Sequence, residues 1–137
     1  MEKSKSQTRG MLMLRTHAVI AAVAAALAVA LGAFGAHVLE GRLTADMLGA
    51  YETGVRYHMY HALGALTISL AAGHVPGRRW AVRAVNCLFA GLVLFSGSLY
   101  VMAITGYTAL GAVTPVGGVL FIAGWACLVA AVLRSGD

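Results

Sequence analysis

Acidic residues are scarce: the 137-residue chain has five Asp and Glu against ten Lys and Arg. None of the five falls inside an apolar run, which counts against proton-coupled exchange through a membrane carboxylate. It also leaves any metal site in the apolar segments without an acidic ligand. Charged residues of both signs make up only 11% of the chain, where a soluble domain carries about 25%. So few polar groups cannot cover a water-facing surface. The two cysteines, Cys87 and Cys127, lie in apolar runs with no CxxC partner and no neighbouring base, and read as packing groups. The positive charges are not interleaved with aromatic residues on a polar element, which excludes a nucleic-acid surface.

Hydrophobic residues are abundant, at 60% of the chain. The length suits one domain, and the composition is that of an integral membrane protein. Ala18–Ala36, Ala84–Ile104 and Ala109–Leu133 are uncharged stretches of 19, 21 and 25 residues. Crossing the hydrocarbon takes about 20 residues, at ~1.5 Å of rise each across ~30 Å. A fourth, weaker segment reaches 17 residues from Tyr57 to Gly73, but only by including His58 and His61. Tyr57 and Tyr60 suit headgroup depth there. In the fourth span, Thr114 is expected to cap a helix with Pro115 in its first turn, and 105–113 to form an uncharged connection. The expected fold is all-α: a four-span bundle over residues 17–133, a basic tail over 1–16 and a short tail over 134–137.

Eight of the ten Lys and Arg residues (Lys3, Lys5, Arg9, Arg15, Arg78, Arg79, Arg83, Arg134) fall on one side of this layout, and only Arg42 and Arg56 on the other. Positive charge stays cytoplasmic. Both termini are therefore expected inside, in a bacterial inner membrane. The first apolar run exceeds a signal-peptide core, so it is expected to be retained rather than cleaved.

Between spans one and two, Leu39, Leu43, Met47 and Tyr51 recur every four positions. With Thr44 as N-cap and Asp46 in the first turn, this predicts a short amphipathic helix over Thr44–Glu52, lying in the outer interface or packed on the bundle top.

The stretch YETGVRYHMYHALGAL, Tyr51–Leu66, holds the ionisable groups that most need a reason. Glu52 and Arg56 have the favourable i, i+4 order for an ion pair. His58 and His61 share a helix face nearly opposite Arg56. The candidate polar site at the outer face comprises His37, Glu52, Arg56, His58, His61, Ser96 and Ser98. Three readings of the histidines stand side by side. They are structural, each ring bonded to a hydroxyl or carbonyl such as Ser96 or Ser98. Alternatively they bind a small molecule, a lipid headgroup or a proton, or hold a metal with His37 as third ligand. The structural reading leads. His61, about 4.5 Å deeper than His58 along a helix, is expected to need a protein partner, while water satisfies His58. Arg56 is expected to snorkel to the interface and pair with Glu52. The small residues Gly32, Gly35, Ala36 and the Ser96–Gly97–Ser98 run are expected to pack helices closely.

GAFGAH (32–37), TGVRYHMYHAL (53–63), LFSGSLY (94–100) and GAVTPVGG (111–118), in this order, resemble the small YgdD/YwdK-like membrane proteins, a family built on a domain of unknown function. The resemblance covers roughly residues 17–133. It implies four membrane helices and no established reaction. It places His37, Arg56, His61, Ser96, Ser98, Thr114 and Pro115 on motif positions, and implies that glutamine often stands where this chain has His58.

No nucleophile signature accompanies the cluster, so no catalytic residue is assigned, and neither metal nor cofactor is expected. The leading expectation is a non-enzymatic structural or accessory protein. Its partners would be the lipid bilayer and either a second copy or another membrane protein. A transporter or channel component for a small solute comes next, then a membrane enzyme or metal-binding protein using the His/Arg cluster.

Overall fold

The computed structural model describes residues 2–134, the first eight of them by backbone alone. Four helices carry the fold: α1 (Glu2–Phe34), α2 (Ala45–Ala71), α3 (Arg78–Thr105) and α4 (Thr114–Leu133). A π turn, Gly35–Leu39, extends α1, and a 3₁₀ turn, Thr108–Ala112, precedes α4. The helices alternate in direction. α1 begins and α4 stops at one end, here the terminal end; the α1–α2 and α3–α4 connections lie at the far end. Residues 2–16, expected as a tail, are the first turns of α1. The tail expected over 134–137 lies outside the described residues beyond Arg134.

Among the described residues, three segments are long and apolar enough to cross a membrane: Gly10–Leu39, Arg78–Thr105 and Thr108–Leu133. α2 is not among them, because His58, His61, Tyr57 and Tyr60 interrupt its apolar character. The lipid-facing surface is evident on α1 and α4, where Val19, Val23, Val29, Val119, Ile122 and Val129 stand exposed. A bilayer makes such a surface favourable.

α2 and α3 form the central pair, with α1 packed on α2 and α4 packed on α3. α1 turns one seam inward: Leu14, Ala21, Ala28 and Gly35, spaced by seven, are all buried, and the last three are small. A strict seven-residue repeat keeps one stripe of a helix facing its neighbour only under slight left-handed supercoiling. With so little side chain in the seam, backbones approach closely, which is how helices gain contact energy where lipid removes the hydrophobic drive. The same device joins α3 to α4. A Cβ on Gly117 would fall on the Phe95 backbone of α3, and one on Gly91 would lie 3.0 Å from the Gly117 carbonyl. α3 ends at Gly106, whose φ of 72° is the left-handed cap glycine tolerates.

The short interfacial helix expected over Thr44–Glu52 is not a separate element. Thr44 does cap, accepting the Met47 N–H at 3.3 Å, but the helix it starts continues to Ala71. Its stripe of Leu43, Met47 and Tyr51 packs with Leu39, Tyr100 and Ala103, so protein rather than headgroups covers it. Thr114 does not cap α4. Val113 takes that place, and the Thr114 hydroxyl lies 2.7 Å from that of Ser98, a partner on α3 that competes with its own helix end.

Candidate functional site at the far end

α2 brings its polar residues against three different neighbours. His58 is buried, 2% exposed, with Nδ1 3.0 Å from the Tyr100 hydroxyl of α3. Its Nε2 is buried and makes no hydrogen bond with the described residues, and the Ala24 backbone of α1 lies near the ring. A neutral ring protonated at Nε2 lets the Tyr100 hydroxyl donate to Nδ1. The expectation that water satisfies His58 fails, because Tyr100 and α1 enclose it.

His61 is 6% exposed and faces α4 instead. Its Nδ1–H donates to the Tyr57 carbonyl one turn back, at 2.7 Å. Its ring stacks on Phe121 with centroids 3.4 Å apart, and Tyr57 and Trp125 complete an aromatic surround. The serines expected as its partners bond elsewhere. Ser96, fully buried, donates to the Gly54 carbonyl of α2 at 2.8 Å. Ser98 donates to the Phe95 carbonyl at 2.9 Å, which leaves its oxygen to accept from Thr114. Two residues apart on a helix, the serines point to different neighbours, one tying α3 to α2 and the other to α4.

The charged residues lie apart from both histidines. Arg56 donates to the Thr53 hydroxyl at 3.2 Å rather than to Glu52, and the Thr53 hydroxyl donates in turn to the Gly49 carbonyl at 2.8 Å. The expected Glu52–Arg56 pair is therefore not formed: a neutral acceptor sits nearer on the same face. Both side chains instead line an open cleft of about 270 Å³ between α1 and α2, walled by Gly32, Gly35 and Ala36 on one side and by Tyr51 and Val55 on the other. Tyr51 anchors this wall, its hydroxyl donating to the Leu31 carbonyl at 2.8 Å. His37 is exposed on the π turn and makes no hydrogen bond with the described residues. The histidines thus do not converge, and no group of three His, Cys, Asp or Glu among the described residues is placed to hold a metal ion.

Sequence reasoning missed Tyr51, Tyr100, Thr53 and Phe121. Tyr100 and Thr114 stood in the quoted motifs, but nothing local says which groups they meet across helices.

The family described as "Protein of unknown function (DUF423)" matches residues 31–118, the stretch holding every residue of this site except Phe121 and Trp125 and, from α1, Ala24. The chain belongs to this family. Among its relatives, the UPF0382 membrane protein YwdK of Bacillus subtilis is 46% identical over 121 residues, covering 88% of this chain and 98% of that protein. The UPF0382 inner membrane protein YgdD of Escherichia coli K12 is 41% identical over 119 residues, covering 85% of this chain and 88% of that protein. The UPF0382 membrane protein SERP0230 of Staphylococcus epidermidis is 46% identical over 125 residues. No solved structure matches the chain. The chain is a membrane protein of this family.

Proposed function

We propose that the chain is a four-span protein of the bacterial inner membrane with both termini in the cytoplasm, acting as a non-enzymatic accessory protein through lipid or protein partners. The observation that carries the reading is where the polar groups of α2 are spent. His58, Gly54 and His61 meet Tyr100, Ser96 and Phe121, so both histidines of α2 are turned into the bundle, while Tyr57 and Tyr60 stay exposed. A helix whose polar residues face protein crosses a bilayer at little cost, since buried groups that find partners avoid the desolvation penalty. The same bonds join α2 to α3 and, through Ser98 and Thr114, α3 to α4. They serve architecture and hold no reactive group toward a substrate.

The cleft carrying Glu52 and Arg56 favours one second reading, a binding site for a small solute on a transport path. Two experiments divide these. Reporter fusions after Asp137 and within 42–46 are expected on opposite sides of the membrane; both on one side would overturn the four-span layout. Purified protein in proteoliposomes is expected to give no solute flux above that of empty vesicles, and protein-dependent flux would favour the transport reading.

A further inference from the structure

The terminal end carries an assembly that the site above does not use. Trp80 stands in the first turn of α3. The guanidinium carbon of Arg83, one turn along, is 4.7 Å from the centre of its ring, and that of Arg134, just past α4, is 4.5 Å away. The two helix ends that bring these residues together are fastened by the backbone. The Gly77 N–H donates to the Ala131 carbonyl at 2.9 Å, and a Cβ on Gly77 would lie 2.9 Å from the Ala131 Cα. Trp80 is half-buried, whereas Arg83 and Arg134 are exposed.

A guanidinium stacked on an indole uses its face and leaves its N–H edge pointing outward, ready for a two-pronged bond to an oxyanion. The carboxylates whose side chains are described, Glu40, Asp46 and Glu52, all belong to the α1–α2 connection and the start of α2 at the opposite end, while Glu2, described by backbone alone, begins α1 at this end. Exposed Arg79 adds a further positive charge beside Trp80. Two guanidinium edges suit an oxyanion, and the phosphodiester is the oxyanion that a bilayer supplies. Immediately along α4, Val129, Val132 and Leu133 are 58%, 55% and 76% exposed. That apolar strip would have no role with a free ion, but it fits an acyl chain. Indole also prefers headgroup depth.

We infer that Trp80, Arg83 and Arg134 form a binding site for the phosphodiester of an anionic glycerophospholipid, with the acyl chains lying along the last turns of α4. The inference deepens the reading of an accessory protein acting through lipid: it names the lipid class and the residues that select it. The phosphate oxygens would accept from both guanidinium edges, and cationic discrimination against zwitterionic lipids follows from the net positive charge of the site.

The test is native mass spectrometry of the full chain released from nanodiscs, with phosphatidylglycerol and phosphatidylcholine present at equal amounts. One phosphatidylglycerol is expected to persist on the wild type, with its apparent affinity lowered about tenfold or more in R83Q/R134Q, the loss of charged hydrogen bonds. R42Q at the other end is expected to leave it unchanged. A second readout uses the emission of Trp80 in W125F, where it is the sole tryptophan. It should shift with phosphatidylglycerol but not with phosphatidylcholine, and inorganic phosphate at matched concentration should not reproduce the shift. Helical circular dichroism accompanies each variant to show that it folds. Equal retention of the two lipids, unchanged binding in R83Q/R134Q, or a full response to inorganic phosphate would each overturn the inference. Nanodiscs expose both faces, so the outcome is independent of the fusion experiment: failure here leaves the four-span reading standing, and the reverse also holds.

Discussion

The imidazole of His61 lies flat against the ring of Phe121, with planes 8° from parallel, and so joins α2 to α4, two helices that are not neighbours in the chain. The ring is held in that plane by its Nδ1–H bond to the Tyr57 carbonyl. A polar residue in a membrane helix is used here mainly as a flat surface, with its one donor satisfied inside its own helix.

His61→Ala is therefore expected to destabilise chiefly by lost stacking and a cavity, about 1–3 kcal/mol, read as a lower melting temperature in detergent. His61→Phe should keep most of the stability. In double variants, His61→Ala should be non-additive with Phe121→Ala and additive with Ser96→Ala, because Ser96 bonds Gly54 and not the imidazole. Coupling to Ser96 in place of Phe121 would show the stack to be unimportant.

Tyr100 and His58 give a second pair with a different character. Here the contact is a hydrogen bond between groups enclosed by α1, α2 and α3. Tyr100→Phe removes the donor and strands the His58 Nδ1, at a cost of about 1–3 kcal/mol in general and nearer ~0.6 in membrane bundles. The same change in a His58→Leu background should be almost silent. His58→Gln should be mild, since its amide oxygen can accept from Tyr100. Equal loss from Tyr100→Phe in both backgrounds would rule out the bond as the cause.

Apolar runs long enough to cross, the start of α2 at Thr44 and a polar cluster beyond it were legible in the sequence, because each rests on local chemistry. The boundaries that failed were decided by neighbours. Nothing within Ala45–Glu52 says that the helix will continue to Ala71; burying Tyr51 and Met47 against Tyr100 and Ala103 decides it. Thr114 reads as a cap until Ser98 comes within reach. His58 and His61 were expected to share a helix face, yet His58 meets Tyr100 of α3 and His61 meets Phe121 of α4, because helices pack on three sides of α2. Arg56 and Glu52 had the right spacing for a pair, but Thr53 offered Arg56 an acceptor within the same turn.

Two glycines that look alike in sequence should behave in opposite ways when changed to alanine. Gly97 and Gly117 both sit inside membrane helices, α3 and α4, and in each the helix itself would gain from alanine by about 0.5–1 kcal/mol. They differ in what lies in the Cβ direction. Nothing is within 4 Å of the Gly97 position, whereas at Gly117 the Cβ would meet the backbone nitrogen of Phe95 and lie 2.8 Å from its Cα. A side chain can rotate away; a helix backbone can yield only if α3 and α4 separate. That separation would loosen Gly91 against Phe121 and the Ser98–Thr114 bond, which depend on the same closeness. Gly97→Ala is thus expected to hold or slightly raise the melting temperature, and Gly117→Ala to lower it by overpacking worth about 1–3 kcal/mol. Phe95→Ala should fail to rescue Gly117→Ala, because the obstructing atoms include backbone. Rescue would mean that the ring alone is in the way, and equal melting temperatures for the two glycine variants would mean that the close approach of α3 and α4 contributes nothing to stability.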